Sequence, residues 1–519
     1  MNDFALRTIP KEETQPLTDL VDRRRRQANA RLDPQKKSAF GQFMTPQPVA
    51  HFMASLFNAQ EIGEVRLLDA GAGVGSLTAA FVEEFLQRQT HISHIAATAY
   101  ERDATLSTDL HTTLADCERV CNEADIDFSA DVVLQDFIEA GADQLFMGME
   151  PPRRFTHAIL NPPYKKIHSA SKHRGWLSSI GIETTNLYTG FLAIAIKLLE
   201  PGGELVAITP RSFCNGAYFK PFRELFLREM ALCRIHIFES RTHAFKEDEV
   251  LQENIIFHAV KGQSQEDVVL SVSESAEFTH IQQRTVPFAQ VVRPDDKDQF
   301  IHIIAYREAQ QLAERMNELP CTLRDLGIDV STGPVVDFRL KEYLRRDPEP
   351  GTLPLIYPVH CRNHAVTWPV AESKKPNAIL DAEPVQKWLY PNGYYTLVRR
   401  FSSKEERRRV VATVHDPAQV PGEQIGFENH LNVFHCNREG LSLSLAKGLA
   451  VYLNSTFYDV CFRQFNGHTQ VNVKDLYNLR YPDIATLEML GGRVNGGDFP
   501  AQETIDRWIE KDVLNGCKD

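Results

Sequence analysis

Val65-Arg66-Leu67-Leu68-Asp69-Ala70-Gly71-Ala72-Gly73-Val74-Gly75 is an apolar run that breaks into three alternating glycines and then passes into a helical pattern. Glycine lets a backbone come close to a nucleotide-like ligand and point its amides at it, so a strand, glycine loop and helix in this order predicts a binding loop. Two ligands fit that loop. A nucleoside cofactor is one; a pyrophosphate is the other, because Gly71-x-Gly73-x-Gly75 differs from dinucleotide spacing by a single residue. A purely structural turn is the third reading.

Working outward, short apolar runs alternate with helical patterns, predicting strands at Val65 to Asp69, Ile95 to Tyr100, Asp131 to Leu134, Phe155 to Leu160, Glu204 to Thr209, Arg234 to Phe238 and Asn254 to His258. This rhythm predicts an α/β fold, a doubly wound, mostly parallel, seven-stranded sheet. Leu187 to Leu199 has helical apolar spacing and stops at Pro201-Gly202-Gly203. The polar stretch Gly262 to Glu277 breaks the alternation, and the rhythm does not resume after about Ala309. Four segments follow: a basic N-terminal arm (1–39), a first domain (40–265), a connecting segment (266–309) and a C-terminal α/β domain (310–519).

Composition constrains function less. With 519 residues the chain exceeds one hydrophobic core, and 43% apolar with 24% charged residues is ordinary for a globular enzyme. No apolar run is long enough to span a bilayer and no signal-peptide core opens the chain, so a cytoplasmic protein without membrane partners is expected. The 9 cysteines are scattered, and Cys117 and Cys121 lack the second pair that zinc requires, so no metal is expected. The net charge of −12 argues against indiscriminate polyanion binding, yet 351–480 holds 15 Lys and Arg against 11 Asp and Glu. A second basic cluster, Arg23-Arg24-Arg25-Arg26, reads either as a solvated helix face or as a phosphate-contacting arm.

Three further sites carry chemistry. The second and third strands end at Tyr100-Glu101 and Gln135-Asp136-Phe137. Carboxylates at consecutive strand ends lie in the ligand crevice of such a sheet, one suited to ribose hydroxyls and the other to an adenine amine. After the fourth strand comes Asn161-Pro162-Pro163-Tyr164. An exocyclic amine conjugated to a base ring is a poor nucleophile, and two acceptors holding its hydrogens improve it. The Asn161 side-chain oxygen and the Pro162 carbonyl can supply them; Pro162 and Pro163 fix the turn, and Tyr164 offers an aromatic face to a base rotated out of a duplex.

These motifs resemble the adenine-N6 DNA methyltransferases of the gamma arrangement, exemplified by the TaqI methylase, and within them the BsuBI and PstI modification methylase group. The resemblance runs from about Phe40 to Ala259 and includes Phe40-Gly41-Gln42-Phe43-Met44-Thr45-Pro46. It implies a Rossmann-like class I S-adenosylmethionine-dependent methyltransferase domain at 40–265 and a target-recognition domain at 310–519. It implies that Thr45, Asp69, Gly71, Gly73, Glu101, Asp136 and Phe137 bind S-adenosylmethionine, that Asn161, Pro162, Pro163 and Tyr164 are catalytic, and that Phe245 packs with Tyr164 on a flipped adenine. The implied partners are double-stranded DNA and a separate cognate restriction endonuclease acting on the same site, a CTGCAG-type sequence, with the methylase a monomer.

In the C-terminal region, Leu353 to Tyr357, Tyr452 to Ser455 and Gly467 to Gln470 resemble recognition domains, with an ordinary accessory domain as the rival reading. Arg407, Arg408 and Arg409 are the candidate DNA contacts. Methylation of RNA or of a glutamine amide is a rival activity, since the same amine logic serves other conjugated nitrogens, and a non-catalytic DNA-binding module is another. Cytosine-C5 methylation needs a Pro-Cys nucleophile, and Pro320-Cys321 lies outside the catalytic region.

Overall fold

In the computed structural model the quoted run forms β1 (Glu64–Ala70), whose last four residues are buried, an interior strand third from one edge of a nine-stranded sheet. An uninterrupted apolar strand fits this place because helices cover a parallel sheet on both faces. The structure describes residues 15–33, 43–58, 63–88, 91–146, 153–168, 170–238, 254–303, 307–402, 406–465, 470–494 and 499–515. The other strands of the sheet are β2 (His94–Tyr100), β3 (Asp127–Val133), β4 (Phe155–Leu160), β5 (Leu199–Pro210), β6 (Met230–Phe238), β7 (Asn254–Lys261), β8 (Val268–Ser273) and β9 (Ile281–Val286). Their spatial order is β3-β2-β1-β4-β5-β7-β6-β8-β9. The first five run parallel, and β7 is antiparallel to both β5 and β6.

The sheet therefore has two strands more than expected, and 266–309 is not merely a connection. Val268–Ser273 pairs in parallel with β6, and β9 closes the edge antiparallel to β8. An edge strand needs only one neighbour and one buried face, so the polar Ile281-Gln282-Gln283-Arg284-Thr285 carries little apolar signal.

The helices of this unit are α1 (Leu17–Arg31), α2 (Gln47–Ala54), α3 (Ser76–Gln87), α4 (Ser107–Glu123), α5 (Phe137–Leu145), α6 (Lys172–Ser179), α7 (Leu187–Leu198) and α8 (Lys220–Glu229). Adjacent residues of a strand face opposite sides, so Leu68 packs with Ile138, Leu192 and Phe226 of α5, α7 and α8, while Leu67 packs with Phe52, Phe81 and Leu114 of α2, α3 and α4. In α7 every residue but Lys197 is buried, and truncating a side chain such as Ile194 to alanine would cost about 2–5 kcal/mol.

Of the two readings of the basic N-terminal cluster, the helix face is the one the structure forms. Leu17, Val21 and Ala28 give 17–31 one buried face, and the helix packs instead of extending. Its arginines are spent internally: Arg24 on Thr113 and Asp116 at 2.7 and 2.8 Å, Arg25 and Arg26 on Asp22, Arg31 on Asp109. Arg23 donates to Gln15.

Contact clustering divides the chain into Met1–Ala305 and Tyr306–Asp519. The second unit holds a six-stranded sheet in the order Asp329–Thr332, Leu431–His435, Tyr395–Arg399, Ala412–His415, Ala365–Val366, Cys361–Arg362, and a five-stranded one built around Thr352–Ile356 and Gln424–Phe427. Helices Leu443–Leu453 and Ile484–Gly492 cross so closely that a Cβ on Gly448 would lie 1.8 Å from the Leu487 carbonyl oxygen, and only glycine fits there. Among the described residues no helix is long and apolar enough to cross a membrane.

Candidate active site

β1 ends in the glycine loop, where Gly71, Gly73 and Gly75 take φ values of 84°, 60° and 85°. An L side chain is strained at each, and at Gly75 a Cβ would also meet Thr113 at 2.9 Å. The amides of Gly71 and Ala72 donate to the Tyr100 carbonyl at 2.8 and 2.9 Å, which ties the loop to the end of β2. Beside Gly73 a Cβ would meet nothing within 4 Å, because the loop borders an open cavity.

Glu101 forms the next wall. Its two carboxylate oxygens accept from the Gly73 amide at 2.8 Å and the Asp103 amide at 2.7 Å. Burial pushes its carboxyl up, against the pull of those amides. Asp136, at the end of the β3 connection, caps α5 through the Ile138 amide at 3.0 Å, and its other oxygen accepts from His173 Nε2 at 2.9 Å and Arg102 at 3.3 Å. Burial alone would raise this carboxyl, but His173, Arg102 and the Ile138 amide outweigh it and hold it below the usual range. Phe137 is buried against Tyr100 and Phe191, with ring centroids 5.0 and 5.1 Å away, and gives the cavity an apolar side.

Across the cavity stands Asn161, at the end of β4. Its amide nitrogen donates to the Phe43 carbonyl at 2.7 Å and to Thr45 Oγ1 at 3.0 Å, which fixes the planar carboxamide and with it the direction of its oxygen. That oxygen lies 3.1 Å from the Tyr164 hydroxyl, which also lies 3.2 Å from the Ile208 carbonyl. One hydroxyl proton serves one acceptor at a time, so donation to Ile208 frees the Asn161 oxygen. Tyr164 is packed edge-on against Tyr188 at 6.2 Å and near Phe43 at 6.1 Å, and burial pushes its phenol up.

The structure thus gathers Thr45, Gly71, Gly73, Glu101, Asp136, Phe137, Asn161 and Pro163 around one cavity, with Pro162 buried and Tyr164 half-buried beside it. Asp69 departs from expectation. It is fully buried behind the loop, accepts from Thr78 Oγ1 at 2.7 Å and does not line the cavity; burial raises its carboxyl to about 7. Phe245 lies outside the described residues. His173 was missed because it sits neither at a strand end nor in a motif; Arg102 follows Glu101 at the end of β2, but nothing in the sequence signals that its guanidinium turns to Asp136. Phe43 acts through its carbonyl, which no side-chain pattern signals.

In the second unit the three arginines have different fates. Arg407 is exposed, Arg408 is half-buried and donates to Thr456 Oγ1 at 3.2 Å, and Arg409 is only 1% exposed, donating to the Ser402 carbonyl. Arg409 is therefore a structural residue and not a surface contact. Tyr452, Asn454 and Ser455 are likewise buried, Asn454 bonding both the amide and carbonyl of Ala412 at 3.0 and 2.9 Å. Leu355, Ile356 and Tyr357 are core; 466–469 lie outside the described residues. Cys321, the rival nucleophile, lies in this unit, away from the cavity's lining.

The buried Glu101 carboxylate, the open glycine cradle and the aromatic side formed by Phe137 and Phe191 fit a nucleoside, with polar groups for a ribose and a flat apolar surface for a base. A family model described as the Eco57I restriction-modification methylase matches 86–245. The Type II methyltransferase M.PstI of Providencia stuartii is 45% identical over 498 residues, 96% of this chain and 97% of that one. M.BsuBI of Bacillus subtilis is 45% identical over 504 residues, 96% and 98% of the two chains. Among solved structures, the Type IIL restriction-modification enzyme MmeI in complex with DNA has a TM-score of 0.52 at 10% identity, covering 97% of this chain and 74% of that one, a likeness of fold. The chain belongs to the Type II restriction-modification methyltransferases, and its cofactor is S-adenosylmethionine.

Proposed function

We propose that the protein is a site-specific DNA methyltransferase acting on the exocyclic N6 of an adenine rotated out of the duplex, the protective half of a restriction-modification pair. The observation that carries this reading is the Asn161 carboxamide, whose nitrogen is tied down by Phe43 and Thr45 so that its oxygen is the acceptor offered at the cavity's edge.

The bound cofactor supplies an electrophilic methyl on a sulfonium. Glu101 would hold its ribose and Asp136 its base amine. Asn161 Oδ1 and the Pro162 carbonyl would each hold one hydrogen of the target amine, which turns the nitrogen lone pair out of conjugation and toward the methyl carbon. Methyl transfer would place positive charge on that nitrogen, which both acceptors would hold more strongly than the neutral amine, and one of the two held hydrogens would then leave to solvent as a proton. Tyr164 is placed to stack on the extruded base, work worth about 1–3 kcal/mol for a base on an aromatic ring.

The unit 306–519 is proposed to read the flanking base pairs, and Arg407 to contact phosphate. The protein is proposed to act as a monomer in the cytoplasm, with a nuclease on another chain. The test is product analysis: radiolabelled S-adenosylmethionine is supplied with duplex DNA, RNA and whole-cell protein, and labelled DNA is digested to nucleosides. N6-methyladenine from duplex DNA is expected; label in cytosine, RNA or glutamine would overturn the assignment.

A further inference from the structure

We propose that His173 is a positioning residue for cofactor recognition, fixing the Asp136 carboxylate so that it accepts the exocyclic amine of the cofactor's purine. The inference rests on the cofactor-binding role given to Asp136 above. A carboxylate that only caps a helix is held at one oxygen; here Oδ1 takes the Ile138 amide at 3.0 Å and the Glu139 amide at 3.5 Å, and these bonds leave Oδ2 unfixed. His173 Nε2 at 2.9 Å from Oδ2 supplies the second restraint. Asp136 is acceptor-only when ionised, so Nε2 carries the proton in this contact. Arg102 reaches the same oxygen at 3.3 Å, but its side chain is 57% exposed against 22% for His173, and it is the looser partner.

Both His173 and Asp136 border the cavity. A carboxylate has about four lone-pair sites; Ile138, His173 and Arg102 take three at 3.0, 2.9 and 3.3 Å, and the fourth, which the Glu139 amide reaches only at 3.5 Å, is the one a cavity amine can take. An amine can use that site; a 6-oxo purine, with a carbonyl in the amine's place, would set oxygen against oxygen. His173 also joins two parts of the site, because it lies in the first turn of α6, the helix that follows the Asn161–Tyr164 loop. The stretch between is tied by backbone bonds from Ile167 to Thr185 and from Leu187 to Lys165 at 2.7 and 2.8 Å. One turn further on, Trp176 stands edge-on to His173 with ring centroids 5.5 Å apart, a built-in reporter of the pair.

The experiment is calorimetric titration of the full chain with S-adenosylhomocysteine and with its inosine counterpart, for the wild type, His173→Ala, His173→Gln and Asp136→Asn, with tryptophan emission followed in parallel. The wild type should prefer the amine by about tenfold or more, the effect of one well-made hydrogen bond to a charged group. His173→Ala should weaken S-adenosylhomocysteine about tenfold, shrink the preference to within about threefold and lose the emission change. His173→Gln, which keeps a donor, should recover part of the preference, and it carries the test if the alanine variant melts early. Asp136→Asn should abolish the preference. Equal weakening of both ligands in the His173 variants, or an unchanged ratio, overturns the proposal. Absence of any S-adenosylhomocysteine binding by the folded wild type would instead overturn the cofactor site itself.

Discussion

At the carboxyl edge of β1, β2 and β4, neighbouring loops deliver Gly73, Glu101 and Asn161 to one cavity, and the Glu101 carboxylate and the Asn161 carboxamide nitrogen are each held by two hydrogen bonds. In the irregular segment 406–410 of the second unit, three consecutive arginines end in three different environments, exposed, half-buried and buried. A parallel sheet sends every strand's carboxyl end to the same side, so position in that pattern is already position in space. A run of like charges outside regular structure has no such periodicity. Its members share a sign and nothing else.

The sharpest way to break the comparison is at Asn161. Asn161→Ala should cut methyl transfer about 100-fold or more, the scale of losing one preorganised group at a developing charge, while S-adenosylhomocysteine affinity stays within about tenfold. Single-turnover rates and titration separate the two, and a variant with wild-type rate would remove the edge's claim to the chemistry. Glu101→Ala comes next and should cost about 1–3 kcal/mol of cofactor affinity with DNA binding little changed; unchanged affinity would mean the cavity does not hold the ribose there.

Asp69 supplies a pH signature of the same edge. Raised to about 7 when folded, its carboxyl keeps its proton where the unfolded chain has released it. Its contribution to stability is therefore complete below about pH 3.8 and is lost as pH rises through about 7. Asp69→Asn, neutral throughout, should flatten the decline of the unfolding midpoint between about pH 4 and 7, and melts across that range check it. The smallest effects belong to the arginine run. Arg407→Ala should leave the melt unchanged and weaken duplex binding severalfold at low salt, for target and non-target alike. Arg409→Ala should lower stability by about 1–3 kcal/mol. Identical behaviour of the two variants would erase the distinction drawn between them.

Much of the first unit was legible in the sequence because β1, β2, β4 and β7 are continuous apolar runs bounded by turn residues. β3 begins at Asp127, four residues before its apolar signal, since its outward positions are exposed. β5 absorbs Pro201-Gly202-Gly203, with Gly202 at a φ of 81° and a register shift opposite Phe155 and His157, so what reads as a loop is an irregular strand. At the site, residues acting through side chains at strand ends could be named in advance. His173 could not, because its meaning depends on where a helix brings it, nor could the Phe43 carbonyl. In the second unit Tyr452 to Ser455 resembled recognition residues while serving as core, and buried polar groups such as Asn454 look the same in a sequence whichever they are.

The bond from Asn161 to Phe43 spans 118 residues of chain, and the one to Thr45 spans 116. Loops of that length close at a high entropic cost and, in folding, contacts of such separation form slowly. The pairing of Leu67 with His157 between β1 and β4 closes most of that loop, so the Asn161 bonds are completed with the sheet. During synthesis the segment 43–45 leaves the ribosome long before its partner exists and must wait for it. The acceptor at the chemistry is thus aimed by residues made early and carried by one made more than a hundred residues later, so no N-terminal fragment ending before Asn161 can hold the pair.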